Sequence, residues 1–214
     1  MIMAHASPPE FIRQWERMAL SEGATTKVWP RPPLYLFAPD GGAERFTRLF
    51  RETWLRIPYW CRRRMLIHWR PCPECPSNIL NPRVELLEFW KDTPLRGLRG
   101  LKAAVYQRGH QLRFRTRIVN AYPDHLVRDL IAHELAHVCQ YATGSFATEG
   151  DDAEARNEIG ADDMVDFWGF EPYAMDEWDR AHGVSRVIDT SKMSPERRER
   201  VERRSWKRVL RKGR

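Results

Sequence analysis

The chain has little that would tie it to a secreted or membrane-bound class. Only four cysteines, Cys61, Cys72, Cys75 and Cys139, are spread over 214 residues. That is too few and too scattered to dictate a disulfide framework, and it fits a reducing compartment. No apolar run approaches the length of a membrane-crossing helix, so no membrane partner is expected. The opening residues Met1-Ile2-Met3-Ala4-His5-Ala6 lack the basic-then-apolar order of a secretory leader, and a cytoplasmic location is expected. The single Cys-x-x-Cys, Cys72-Pro73-Glu74-Cys75, has no second pair to complete a zinc ribbon. Cys61 and His68 could complete it, or it could be a redox pair, but a proline-braced turn with incidental thiols is the plainer reading.

A surplus of charge is also missing over most of the length. The net charge of +7 arises from 36 Lys and Arg against 29 Asp and Glu, but ten of those basic residues and only three of the acidic ones lie from Pro195 onward. The rest of the chain is therefore neutral, and the high pI of about 9.5 describes a terminal segment only. Ser194-Pro195-Glu196 is a good helix start. A basic helix over residues 195–214 carrying Trp206 could take nucleic acid or an acidic partner, although a solvated tail is the default reading of such a run.

What is present is concentrated in His133-Glu134-Leu135-Ala136-His137. On a helix, residues four apart lie one turn above each other, so both imidazoles can reach one metal ion with the carboxylate beside it. The spacing of Leu126, Val127, Leu130, Ile131, Leu135, Val138 and Cys139 predicts a helix, begun by Asp124 as cap and stopped by Gly144. Apolar residues cover nearly its whole circumference, the mark of a buried central helix. Buried polar groups need partners, since each costs a few kcal/mol when left unpaired. A metal ion would satisfy the two histidines; a hydrogen-bonded core pair is the alternative.

A catalytic zinc takes three protein ligands and leaves one position for water. The extended pattern with a nearby third histidine would need Gly at Gln140 and His at Thr143, which excludes that class. Beyond His137 the next histidine is His182. Nearer lies a second predicted helix with apolar Ile159, Met164, Val165 and Trp168, ended by Gly169, on which Glu158 and Asp162 share a face. One of the two could bind the metal while the other orients a histidine through its free ring N–H. A solvated helix carboxylate is the ordinary reading of Glu158 taken alone.

Asn157-Glu158-x-x-Ala161-Asp162, with Glu158 twenty-one residues after His137, resembles the second zinc motif of the gluzincin metallopeptidases. The resemblance spans about residues 104 to 168, and the chain's short length is also similar to the minimal gluzincins and the SprT-like zincins; the latter typically use a third histidine. It implies His133, His137 and Glu158 as zinc ligands, Glu134 as general base, and Asp162 with Asn157 supporting the ligands. It implies an α+β, zincin-like fold: a small, mostly antiparallel sheet packed on the His133–His137 helix, and a second helix carrying Glu158. The activity implied is zinc-dependent hydrolysis of a protein or peptide substrate. A zinc-bearing scaffold, or a DNA-associated SprT-like protease using the basic tail, is the alternative. Tyr141, Arg156, Tyr173 and His182 are candidate donors to the oxyanion.

The remaining segments follow local patterns. Phe11, Ile12, Trp15, Met18 and Ala19 predict a short helix, and Pro30, Pro32, Pro33 and Pro39 an extended connector. Phe46, Leu49, Phe50, Thr53, Trp54 and Ile57 predict an amphipathic helix ended or kinked by Pro58, with a second helical piece through Trp60, Met65, Leu66 and Trp69. Strands are predicted over residues 84–90, 103–106 and 111–118, the last two as a hairpin turned at Arg108-Gly109-His110. In the last strand Leu112, Phe114 and Ile118 would share one face and Arg113, Arg115 and Arg117 the other. The resemblance implies that this strand lies at the sheet edge beside the cleft, where a peptide could pair with it and the arginines could select acidic side chains. These readings divide the chain into an N-terminal helix and Pro-rich extension (1–43), a zincin-like domain (44–193) and a basic helical tail (194–214).

Overall fold

The computed structural model describes Ser21, Gly23 and residues 26–30, 33–69, 82–88, 102–150, 152–172 and 174–182. The N-terminal helix, the Cys72-Pro73-Glu74-Cys75 turn, Tyr173 and the basic tail lie outside these residues. The described chain is a mixed α and β structure with one five-stranded sheet.

The strands are β1 (Thr26–Pro30), β2 (Pro33–Phe37), β3 (Arg83–Leu87), β4 (Ala103–Tyr106) and β5 (Gln111–Arg115), in the order β1-β2-β3-β5-β4. The expectation of a mostly antiparallel sheet is corrected here. β2, β3 and β5 run parallel, and only the two outer strands, β1 and β4, are antiparallel to their neighbours. The reason is the crossover from β2 to β3: helices α1 (Ala43–Arg56) and α2 (Tyr59–His68) return the chain to the same end of the sheet, which parallel pairing requires. The Pro-rich stretch read as a connector supplies β1 and β2. The sheet thus reaches back beyond residue 44.

β5 is not an edge strand either, because β3 and β4 flank it. Its Leu112 and Phe114 are buried, as are Val84 and Leu86 of β3. On the other face Glu85 accepts hydrogen bonds from Gln111 (2.6 Å) and Arg113 (2.8 Å), and the Arg113 guanidinium lies over the Tyr106 ring. Arg113 is therefore held within the sheet and not presented to an incoming peptide. Ile118 does not continue the alternation: β5 ends at Arg115, and α3 (Thr116–Ala121) begins.

Four more elements complete the description: α4 (Asp124–Thr143), α5 (Ala153–Phe167), α6 (Ala174–Ala181) and a turn at Gln107–Gly109. The apolar stripe of α1, Phe46, Leu49, Phe50 and Trp54, is fully buried, with Phe46 against Phe114 of β5 and Trp54 stacked between Phe50 and Trp69. Pro58 caps α2, whose Cys61 and Met65 face inward. Cys61 is buried with its thiol beside that of Cys139 of α4.

Helix α4 runs through the middle of these layers, packing against α1, α2, α5, α6 and β4. It ends where Gly144 adopts φ 72°, a left-handed cap natural to glycine. Its start differs from expectation. Pro123 occupies the cap position and Asp124 is the first helical residue, its carboxylate held by Arg45 and Arg48 of α1 at 2.6 to 3.0 Å. Arg45 also donates to the carbonyls of Val119 and Tyr122. No helix among the described residues is long and apolar enough to cross a membrane.

Candidate metal centre

The central helix carries both histidines and Glu134. His133 and His137 lie one turn apart on one face, their rings nearly perpendicular at 88° and their Nε2 atoms 3.2 Å apart. Glu158 reaches in from α5, placing Oε2 3.3 Å from His133 Nε2 and Oε1 3.4 Å from His137 Nε2. One donor atom from each of the three residues lies within 4.8 Å of the others. Ligand bonds of about 2.0–2.1 Å at tetrahedral angles separate donors by about 3.3–3.4 Å. The spacing and the N, N, O donor set therefore fit a small divalent cation such as zinc.

Electrostatics point the same way. Burial opposes charge on His133, but its hydrogen bonds to Asp162 and Glu158, with the nearby Glu134 carboxylate, outweigh that and hold the ring at about 10. For Glu158, burial pushes upward, yet the closeness of the His133 and His137 rings prevails and takes its carboxyl well below the ordinary range. Burial pushes Glu134 up, while both histidines pull it down and Glu158 pushes it further up. Three carboxylates thus surround two imidazoles. The cluster attracts positive charge, and a divalent ion could supply it in place of a histidine proton.

The supporting residues are divided between the two helices. Asp162, buried and one turn beyond Glu158, sets Oδ1 3.3 Å from His133 Nδ1. Asn157 behaves differently from expectation. Its side chain holds Ala147, accepting from the backbone N–H (2.8 Å) and donating to the carbonyl (2.9 Å), because its position one residue before Glu158 turns it away from the histidines toward the loop after α4. The group at His137 Nδ1 is instead Gln140, with Oε1 at 2.9 Å. Gln140 was missed in the sequence, although three residues after His137 is a same-face position on a helix. Its Nε2 donates to the Asn157 carbonyl at 2.8 Å.

Phe146 presents its ring edge-on to His137, and Tyr141 stacks on Phe146 with centroids 3.8 Å apart. Of the candidate oxyanion donors, Tyr141 is thus linked to the cluster through ring contacts. Arg156 is engaged by Glu149 and Asp152, while His182 stacks on Trp178 and bonds its carbonyl.

No protein-family model matches the chain, and neither a curated protein nor a solved structure is found to be similar to it.

Proposed function

We propose that the chain is a zinc-dependent peptidase with a zincin-like, gluzincin-type site. The observation that carries this reading is the convergence of His133, His137 and Glu158 at 3.2 to 3.4 Å, with the buried Glu134 carboxyl next to His133 on the same helix. His133, His137 and Glu158 would hold the ion. Zinc bound there would acidify a water molecule and polarise the scissile carbonyl. Glu134 takes the proton as the water oxygen bonds to the carbonyl carbon, then delivers it to the nitrogen as the C–N bond breaks. Its burial beside His133 and His137 keeps bulk water from competing for that proton.

The substrate is a protein or peptide segment. Since β4 is the one of the two outer strands among the described residues that is next to β5, and it packs against α4, an extended peptide would pair with β4 and not with β5. A cytoplasmic location belongs to the same proposal, whereas nucleic acid or an acidic partner on residues 195–214 belongs to the alternative of a DNA-associated protease. The test is hydrolysis of an unstructured protein such as casein. Wild type is expected to cleave it and to stop on chelation; Glu134→Gln is expected to keep its fold and metal but lose most activity, because the amide cannot take the water's proton. Equal turnover by both proteins would remove Glu134 from this role. A wild type that binds zinc but cleaves none of a range of proteins would instead favour a scaffold.

A further inference from the structure

We infer that Gln140 fixes the tautomer of His137, acting as a positioning residue that turns the Nε2 lone pair of that ring toward His133 and Glu158, and that Gly160 is a glycine to leave room for it. The inference deepens the metal-site reading and rests on it.

The argument begins at a group with no choice of role. The backbone carbonyl of Asn157 can only accept a hydrogen bond, and it lies 2.8 Å from the Gln140 side chain. The amide end facing it must therefore be the NH2, which settles the orientation that an amide otherwise leaves open. The opposite end, 2.9 Å from His137 Nδ1, is then the oxygen, another acceptor. For that contact to be a hydrogen bond, Nδ1 must carry the hydrogen. A neutral His137 so constrained keeps its lone pair on Nε2, the atom 3.2 Å from His133 Nε2 and 3.4 Å from Glu158. The relay thus passes from the α5 backbone through Gln140 into the ring.

Its surroundings hold it in place. Gln140 is only 3 % exposed. Its own carbonyl accepts from the backbone N–H groups of Ser145 (2.9 Å) and Phe146 (3.3 Å), so the residue is anchored at both ends. Asn157, the source of the fixed carbonyl, is braced by its side chain across Ala147. A Cβ placed on Gly160 would lie 2.6 Å from Gln140 Nε2, closer than carbon and nitrogen tolerate, so any side chain there displaces the amide. His133 is oriented by the Asp162 carboxylate, whereas His137 is oriented by a neutral amide. The second histidine is aimed without adding a further negative charge to a cluster that already has three carboxylates.

The experiment uses the full chain in three variants, Gln140→Ala, Gly160→Ala and the double substitution. Zinc affinity is measured by competition with a chelator, and the His137 tautomer is read from imidazole 15N chemical shifts in metal-free protein at mildly alkaline pH. Wild type is expected to show His137 protonated on Nδ1. Each single variant is expected to show a mixture of tautomers and to bind zinc about 10- to 100-fold more weakly, the usual loss when a ligand's supporting partner is removed. The double variant is expected to bind no more weakly than Gln140→Ala alone, because Gly160→Ala acts only through the amide. Wild-type affinity and wild-type ring shifts in both single variants would overturn the assignment, as would a Gly160→Ala effect that persists undiminished without Gln140. A wild-type chain that takes up no zinc sinks the metal reading separately, while the ring shifts of the metal-free protein still decide the role of Gln140.

Discussion

At the scale of single residues, the candidate centre distinguishes groups that would touch a metal ion from groups that aim them. Glu158 contributes one of three converging donors, and removing it leaves His133 and His137 without the carboxylate that both contact. Asp162 meets His133 at the ring nitrogen far from the cluster, Nδ1. Wild type is therefore expected to hold about one zinc per chain by metal analysis. Glu158→Ala is expected to abolish stoichiometric binding, whereas Asp162→Ala is expected to weaken it by about 10- to 100-fold. Zinc bound by Glu158→Ala as tightly as by wild type would show that a different third ligand operates. The His133 and His137 pair was legible in the sequence because helical spacing alone places both rings on one face, with Glu134 following the first. The roles of Asn157 and Gln140 were not legible, because which way an amide points depends on the loop after α4 and on how closely α5 approaches.

At the scale of the elements, the same contrast recurs. The α1 stripe of Phe46, Leu49, Phe50 and Trp54 repeats at helical spacing and stood out directly, as did the glycine stop of α4. β2 was hidden because prolines bracket it, yet Pro33 occupies the first strand position, where a missing N–H is tolerated. Residues 116–118 continued the alternation of β5 by coincidence, since an apolar residue two positions on also suits the first turn of a helix. The start of α4 was misread because Asp124 is a good cap by type, but tertiary partners claim it. Hydrogen bonds from Arg48 and Arg45 take its carboxyl from an ordinary 3.8 down to about 2. A depressed acid contributes stability that is present above its unfolded value and is lost as pH falls through its folded value. Its side chain is 37 % exposed, so solvent screening keeps the contribution modest. Asp124→Asn is expected to melt below wild type at neutral pH, with the gap closing between about pH 4 and pH 2. A gap independent of pH in thermal melts would mean that the arginine contacts are not its source.

At the scale of the whole molecule, the sheet joins segments far apart in the chain. β2 pairs with β3 across an intervening stretch that holds both α1 and α2, and Leu34 and Leu36 are completely buried in the common core. A chain beginning at residue 44 would lose both. Each large buried side chain removed costs about 2–5 kcal/mol, against a total stability of about 5–15 kcal/mol for a typical domain. Such a fragment is expected to show no cooperative unfolding transition by circular dichroism. A sharp transition near that of the full chain would restore residues 1–43 to the status of an appendage.

The turn between β4 and β5 bears on how this molecule folds. Gln107, Arg108 and Gly109 all have positive φ, at 51°, 53° and 89°, and two of them are not glycine. Left-handed backbone costs roughly 1–2 kcal/mol per non-glycine residue. The partners that hold the turn in shape come mainly from elsewhere. His68 hydrogen-bonds the Arg108 carbonyl, Trp69 donates to that of Gly109, and only His110 on the Gln107 carbonyl is local. A hairpin commonly nucleates at its turn, but this one gains little until the end of α2 has docked. The β4–β5 pair is thus expected to form late in assembly, as a locked joint and not a seed. Arg108→Gly, which relieves the strain, is expected to change the unfolding rate while leaving the folding rate nearly unaltered, whereas a matching change in the folding rate in stopped-flow measurements would place the turn in the nucleus.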